Sequence, residues 1–398
     1  MSEPNQIPNE ATPSKTAIWN DPTFRSVAFQ IIAAVAVGWF LYTIFSNTLT
    51  NMDNRGITTG FAFLSNTSGY GILMSLIDYD PSNTYGRTFF VGLLNTVLIS
   101  VLGIFFATVV GFIVGVARLS NNWMIAKIAT VYVETLRNIP LLLQILFWYH
   151  AVLAALPSPR ESYTFGESVF LNKRGLYVPA PVPEDGFGYV TVAFLIALAL
   201  IVSVARWAHK RQELTGQQFP TFFVSIGILI GLPGLVFLLA GLPMSLDYPA
   251  LTGFNFRGGI PVIPELMALL WALTFYTAAF IAEIVRAGIL GVSHGQSEAA
   301  HALGLRNGPT LRLVVVPQAM RIIIPPLTSQ YLNLAKNSSL ATAIGYPDLV
   351  AVFMGTTLNQ TGQAVEIVAM TMAVYLIMSL VISSFMNWFN KRMALVER

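Results

Sequence analysis

Three groups of polar residues interrupt an otherwise apolar chain, and their types and spacing limit the chemistry open to it. Glu134 with Arg137, and Glu283 with Arg286, are each spaced i,i+3 at the edges of apolar runs. On a helix that spacing puts acid and base on one face, where they neutralise each other before entering a low-dielectric setting. Two uses are open: a gate at the inner end of a transport pathway, or ion pairs that orient helix ends. Lys336 and Asn337, followed by Ser338 and Ser339, stand at the outer part of another apolar run. A lysine there is costly unless it meets water, a carboxylate or a carbonyl, so it either lines the interior of a bundle or snorkels to the interface. Pro140, Pro317, Pro325 and Pro326 break or kink helices nearby, and the amides and carbonyls they free can hold a zwitterion. The third group is the segment from Glu298 to Pro317, EAAHALGLRNGPTLRLVVVP, polar between two apolar stretches.

None of these groups suits covalent catalysis, and no catalytic residue is assigned. The chain has no Gly-x-Ser-x-Gly, no His-Glu-x-x-His and no Gly-Lys pair, so no P-loop holds ATP here. With no cysteine there is no disulfide, no thiol chemistry and no cysteine-ligated metal. His150, His209, His294 and His301 lack paired metal spacing, and neither metal nor cofactor is expected.

The elements that position these groups are membrane helices. Charged residues make up 10% of the chain and apolar ones 55%, against about 25% charged in soluble proteins. Apolar runs of spanning length fall at about Val27 to Phe45, Phe89 to Val116, Tyr132 to Leu156, Tyr189 to Ala205, Thr221 to Leu242, Glu265 to Gly288, Met320 to Ala341 and Val365 to Trp388. Eight spans place both termini on one side. Positive loops stay cytoplasmic. With the termini inside, that side takes Lys15, Arg25, Arg118, Lys127, Arg137, Arg206, Lys210, Arg211, Arg286, Arg306, Arg312, Arg321, Lys391, Arg392 and Arg398. Only Arg55, Arg87, Arg160, Lys173, Arg174 and Arg257 fall outside, and Lys336 lies within a span.

This topology puts Glu298 to Pro317 in the cytoplasm. Glu298, Ala299, Ala300, Ala302 and Leu303 favour a short helix, with Ser297 as N-cap and Gly304 as the left-handed residue that ends it. Asn307-Gly308 then turns the chain and Pro309 opens the next helix. The alanines let another protein's surface approach the backbone, with Glu298 and Arg306 as polar contacts at the rim. The segment reads as a docking knob.

Glu298-Ala299-Ala300, Gly304 and Val314-x-Val316-Pro317 together resemble the EAA loop of the inner-membrane permease subunits of bacterial ABC importers, with valine in place of the usual Ile and Leu. GLLNTVLISVLG, ETLRNIPLLLQILFWY, FIAEIVRAGI and PQAMRIIIPPLTSQYLNLAKNSSLA are similar to the polar amino acid uptake branch, which takes up histidine, glutamine, glutamate or arginine. The enlarged layout is most similar to the longer permease subunit of general L-amino acid importers. The resemblance implies an all-α type I permease core with a cytoplasmic coupling helix. It also implies a heterodimer with a second, shorter permease, two ATP-binding subunits and a periplasmic amino acid binding protein, all in the bacterial inner membrane. ATP would be bound by the partner, and Glu298, Ala299, Ala300, Gly304 and Arg306 would couple to it.

The expected organisation is a disordered cytoplasmic tail over 1–24, an extra helix and periplasmic loop over 25–87, and a first part of the core over 88–156. An insertion with two extra helices follows over 157–263, then the second part of the core over 264–398. The rival reading is a secondary amino acid transporter driven by an ion gradient, which calls for two related halves and buried carboxylates. Here the local echoes are the two Glu-x-x-Arg pairs, and the aspartates fall in loops.

Overall fold

The structure is a computed structural model that describes residues 22–54 and 59–393. The chain is mostly helical: α1 (Pro22–Asn54), α2 (Tyr85–Ala117), α3 (Trp123–Asn138), α4 (Leu141–Leu146), α5 (Phe187–Thr215), α6 (Thr221–Leu239), α7 (Pro264–Leu290), α8 (His294–Ala302), α9 (Asn307–Thr310), α10 (Val316–Asn337), α11 (Leu358–Thr361) and α12 (Ala364–Met393). Among the described residues seven helical runs are long and apolar enough to cross a membrane, or eight if α3 and the helix after it form one span. This is a multi-pass membrane protein.

Most of the expected tail, residues 1–21, lies outside the described residues, and 22–24 already belong to α1. The third span is not straight. Pro140 confines Ile139 to extended backbone (φ −93°, ψ 127°), and the chain bends by 106° between α3 and the helix running from Leu141 to Leu153. Gln144 repairs the break by donating from Nε2 to the carbonyls of Leu136 and Ile139, both at 2.9 Å. The seventh span starts earlier than expected, because α9, a π turn over Leu311–Val315 and α10 run on as one helical stretch to Ile344. Pro317 lacks the N–H that an α-helical bond to Leu313 requires, and the π turn sits immediately before it.

The two loops flanking the α5–α6 hairpin contain strands that composition did not reveal. β1 (Tyr163–Phe165), β2 (Val169–Asn172), β3 (Gly175–Val178) and β8 (Ile260–Val262) form an antiparallel sheet in that order. Leu176 pairs with Val262 and Val178 with Ile260. Two further ribbons join β4 (Ala180–Pro183) to β5 (Met244–Asp247), and β6 (Ala250–Thr252) to β7 (Asn255–Arg257). The sheet therefore staples together the two ends of the inserted α5–α6 hairpin.

The core forms where α2 and α7 pack along each other. A Cβ added to Gly111 would lie 2.6 Å from Ile281 Cβ, and one on Gly115 would lie 2.8 Å from the Ala282 carbonyl oxygen. Only glycine allows these two backbones to come so close. A second cluster holds Phe63, Tyr85, Leu349, Phe353 and Ile367. In the loop before α2, Phe63 is buried, whereas Phe61 and Leu73 are exposed.

Candidate functional site

The EAA segment folds as a short helix, α8, ended by glycine. Gly304 takes φ +77°, its N–H bonds the His301 carbonyl (2.9 Å), and the Leu305 N–H bonds the Ala300 carbonyl (3.1 Å). Those two bonds are the Schellman pair, which satisfies carbonyls the helix end leaves open. The helix begins a turn earlier than the sequence indicates, with Ser293 and not Ser297 at the N-cap. The i,i+4 contact from His294 Nδ1 to Glu298 Oε1 (3.0 Å) spans that extra turn. Asn307 and Gly308 do not turn the chain. They open α9, Arg306 is its N-cap, and Pro309 sits third in it.

Glu298, Ala299, Gly304 and Arg306 are exposed, and Ala300 is buried, so its small side chain packs against the chain itself. Leu303, at the end of α8, is 83% exposed. Gln318 of α10 donates to Gln296 of α8 (3.1 Å). Close packing of Gly288 in α7 against Ile323 in α10 lies just beyond it. The knob is thus seated on the ends of two core helices.

The two acid–base pairs fare differently. Glu283 accepts from Arg286 Nη2 at 3.0 Å, as the spacing predicts. Glu134 and Arg137 do not meet: Arg137 lies over the Phe280 ring at 5.1 Å, and Glu134 pairs with Arg118 at 3.8 Å. Arg118, at the end of α2, also bonds Glu283 through a very short contact, and its side chain is only 9% exposed. One arginine from another helix gathers both glutamates, a long-range preference that i,i+3 spacing cannot register.

Lys336 lies in the last turn of α10, and Asn337 ends that helix. Lys336 lines a cavity of about 490 Å³ with Ser339, Val350, Thr371 and Tyr375. Behind it, Tyr375 donates to Asp348 Oδ2 at 3.4 Å, and Asp348 is fully buried with Oδ1 accepting the Ala351 N–H at 2.8 Å. Asp348 lies in a non-helical link, as the sequence indicates, but it is buried there. Asn95 and Thr96 hold the segment in place. Asn95 Nδ2 donates to the carbonyls of Met74 and Pro347, Tyr346 donates to the Asn95 carbonyl, and Thr96 Oγ1 accepts the Leu349 N–H, all at 2.9–3.0 Å. Asn95 and Thr96 therefore satisfy neighbours' backbone groups and not each other.

The arrangement is an exposed knob, a charge cluster at the C-terminal ends of α2 and α7, and a largely apolar cavity at the far end of α10 that Lys336 helps to line. Residues 107–395 match the family described as binding-protein-dependent transport system inner membrane component. The chain is 56% identical to the putative amino-acid ABC transporter permease protein YhdX of Escherichia coli (strain K12), over 95% of this chain and 96% of that protein. It is 54% identical to the general L-amino acid transport system permease protein AapQ of Rhizobium johnstonii, over 95% of this chain and 94% of that one. To the glutamate/glutamine/aspartate/asparagine transport system permease protein BztB of Rhodobacter capsulatus it is 44% identical, over 95% and 96%. By family match and by full-length identity, the chain belongs to the inner membrane components of binding-protein-dependent transport systems.

Proposed function

We propose that this chain is the pathway-forming permease subunit of an ATP-driven importer of L-amino acids, working with a second, shorter permease. Two separate ATP-binding subunits would dock on α8, and a periplasmic binding protein on the outer loops. Both termini face the cytoplasm of a bacterium, and the chain has no nucleotide site of its own. The substrate class rests on the amino-acid permeases to which the chain is similar over nearly its whole length.

One observation carries the mechanism. The knob at Glu298 to Gly304 and the cavity at Lys336 lie at opposite ends of one continuous helical run, Asn307–Ile344. Closure of the ATPase pair pushes on Leu303, Glu298 and Arg306. The Schellman end and the Gln296–Gln318 bond keep α8 from swivelling, so the push passes into α10. At its outer end the ammonium of Lys336 attracts the substrate carboxylate, and Asn337 and carbonyls freed at the helix breaks take the substrate ammonium. Movement of α10 changes access to that cavity. At the inner end, the Arg118–Glu283–Arg286 cluster with Glu134 acts as the gate, and Arg137 stays packed on Phe280.

The test is Gly304→Val. Its left-handed backbone disfavours any β-branched residue, while nothing lies within 4 Å of an added Cβ, so the chain still inserts. In proteoliposomes carrying the whole importer, ATP-dependent uptake should fall at least tenfold with assembly unchanged. Uptake at the wild-type rate would overturn the coupling role.

A further inference from the structure

The hairpin α5–α6 is foreign to the mechanism above, yet its inner end builds a site. The last part of α5 and Arg392 of α12 border a shallow, open groove of about 750 Å³. One end of it is apolar, walled by Ile201, Val202 and Ala205; the other is rimmed by Arg206, Lys210 and Arg392. Arg206 and Lys210 are four residues apart and share a helix face, and Arg392 arrives from the other helix. His209 and Glu213 complete the lining and pair with each other at 3.2 Å, which occupies the acid present there. Among the described residues, Arg206, Lys210 and Arg392 have no carboxylate within salt-bridge distance. Three exposed cations bordering one space make it favourable for an anion.

A second observation fixes the depth of this space. Arg211 lies over the Trp207 ring at 5.4 Å and Arg392 over the Trp388 ring at 5.0 Å, one pair on each bordering helix. Both tryptophans are half exposed. Tryptophan with arginine at the end of a span marks the level of lipid headgroups. At that level the cations meet headgroup phosphates, and the apolar wall beyond them meets acyl chain. Basic pockets between helices on the cytoplasmic side suit anionic phospholipid.

We propose that the groove between α5 and α12 is a binding site for an anionic phospholipid of the inner leaflet, held by Arg206, Lys210 and Arg392 and lined for its acyl chains by Ile201, Val202 and Ala205. The lipid fills the gap between the inserted hairpin and the permease core. The assignment rests on the cytoplasmic placement of these helix ends in the proposed topology.

The assembled importer is purified in mild detergent, and bound lipid is read by native mass spectrometry. It is then stripped and returned to nanodiscs of phosphatidylethanolamine with or without phosphatidylglycerol. Wild type should retain anionic lipid in preference to phosphatidylethanolamine. The variant R206Q/K210Q/R392Q should lose it at least tenfold, and Ala205→Trp, which blocks the wall and leaves every charge, should lose it too. Equal retention by both variants, indifference to headgroup charge, or displacement of the lipid by millimolar inorganic phosphate would overturn the proposal. A single cysteine at Gln217 in this cysteine-free chain reports the side of the membrane. Labelling by an impermeant maleimide only from the inside supports the placement, and labelling from outside removes the topology while leaving the lipid measurement readable.

Discussion

The helix pair α2–α7 and the hairpin α5–α6 are made of similarly apolar residues, yet they are different kinds of structure. In the most apolar stretch of α7, 61% of residues are buried, against 11% in α5 and none in α6. Glycine marks the difference. Gly111 and Gly115 are pressed against Ile281, Ala282 and Val285, whereas Gly227, Gly231 and Gly234 of α6 have nothing within reach of an added Cβ. In a bilayer, apolar character secures insertion but gives no preference for protein over lipid, so contact depends on small residues and polar groups that fit. The core pair has that fit. The hairpin is mostly unburied and is tied to the core mainly by the sheet at the end where its two helices join the rest of the chain.

The sharpest way to break this contrast is the same substitution in both places. Gly115→Leu forces side chain into the Ala282 carbonyl and Val285, an overpacking that costs about 3 kcal/mol and leaves most of the purified chain aggregated in size-exclusion chromatography. Gly231→Leu should elute as wild type with an unchanged melting profile. Equal damage at both sites would mean the hairpin is packed as tightly as the core.

Charge gives a smaller version of the contrast. Arg118→Gln leaves Glu283 with Arg286 alone and strips Glu134 of its partner. Because Glu283 is partly exposed, the expected loss is about 1–3 kcal/mol, below that of a fully buried pair. A double-mutant cycle with Glu283→Gln, read by thermal unfolding in nanodiscs, should show the two sites coupled. His209→Gln in the hairpin removes an exposed contact to Glu213 and should change stability by no more than about 0.5 kcal/mol. An uncoupled cycle at Arg118 would show the cluster to be incidental.

How far each region was legible follows from the same physics. Gly304 was readable because a helix stop in the left-handed region has few alternatives, and the spans because bilayer thickness sets their length. The partner of Glu134 was not, since Arg118 comes from another helix and local spacing favours Arg137. Ser297 misled because a capping residue in mid-helix costs little when His294 and Glu298 bridge the turn before it. The strands escaped notice because each is three or four residues long, among prolines and glycines, and β3 finds β8 only across the whole hairpin. The burial of Asp348 likewise arises from Tyr375 of α12 and from Gly92 of α2, against which its backbone packs, and both lie away from it in sequence.

The contrast is tested most directly by removing the hairpin altogether. Glu184 donates its N–H to the Pro243 carbonyl at 3.1 Å, and β4 pairs with β5 across the gap, so the ends at Gly186 and Ala240 are already adjacent. Replacing residues 187–239 with a short Gly-Ser linker should leave the melting profile of the core within a few degrees of wild type, because α2, α7, α10 and α12 make their contacts without it. Loop-closure entropy hardly opposes the change, as a flexible linker's cost varies only with the logarithm of its length. The excised chain should lose the tightly bound anionic lipid and keep ATP-dependent uptake in detergent-free vesicles at a reduced rate. Collapse of the core on excision would show that α5 and α6 support it through the lipid-filled gap, and the two regions would then be one folding unit.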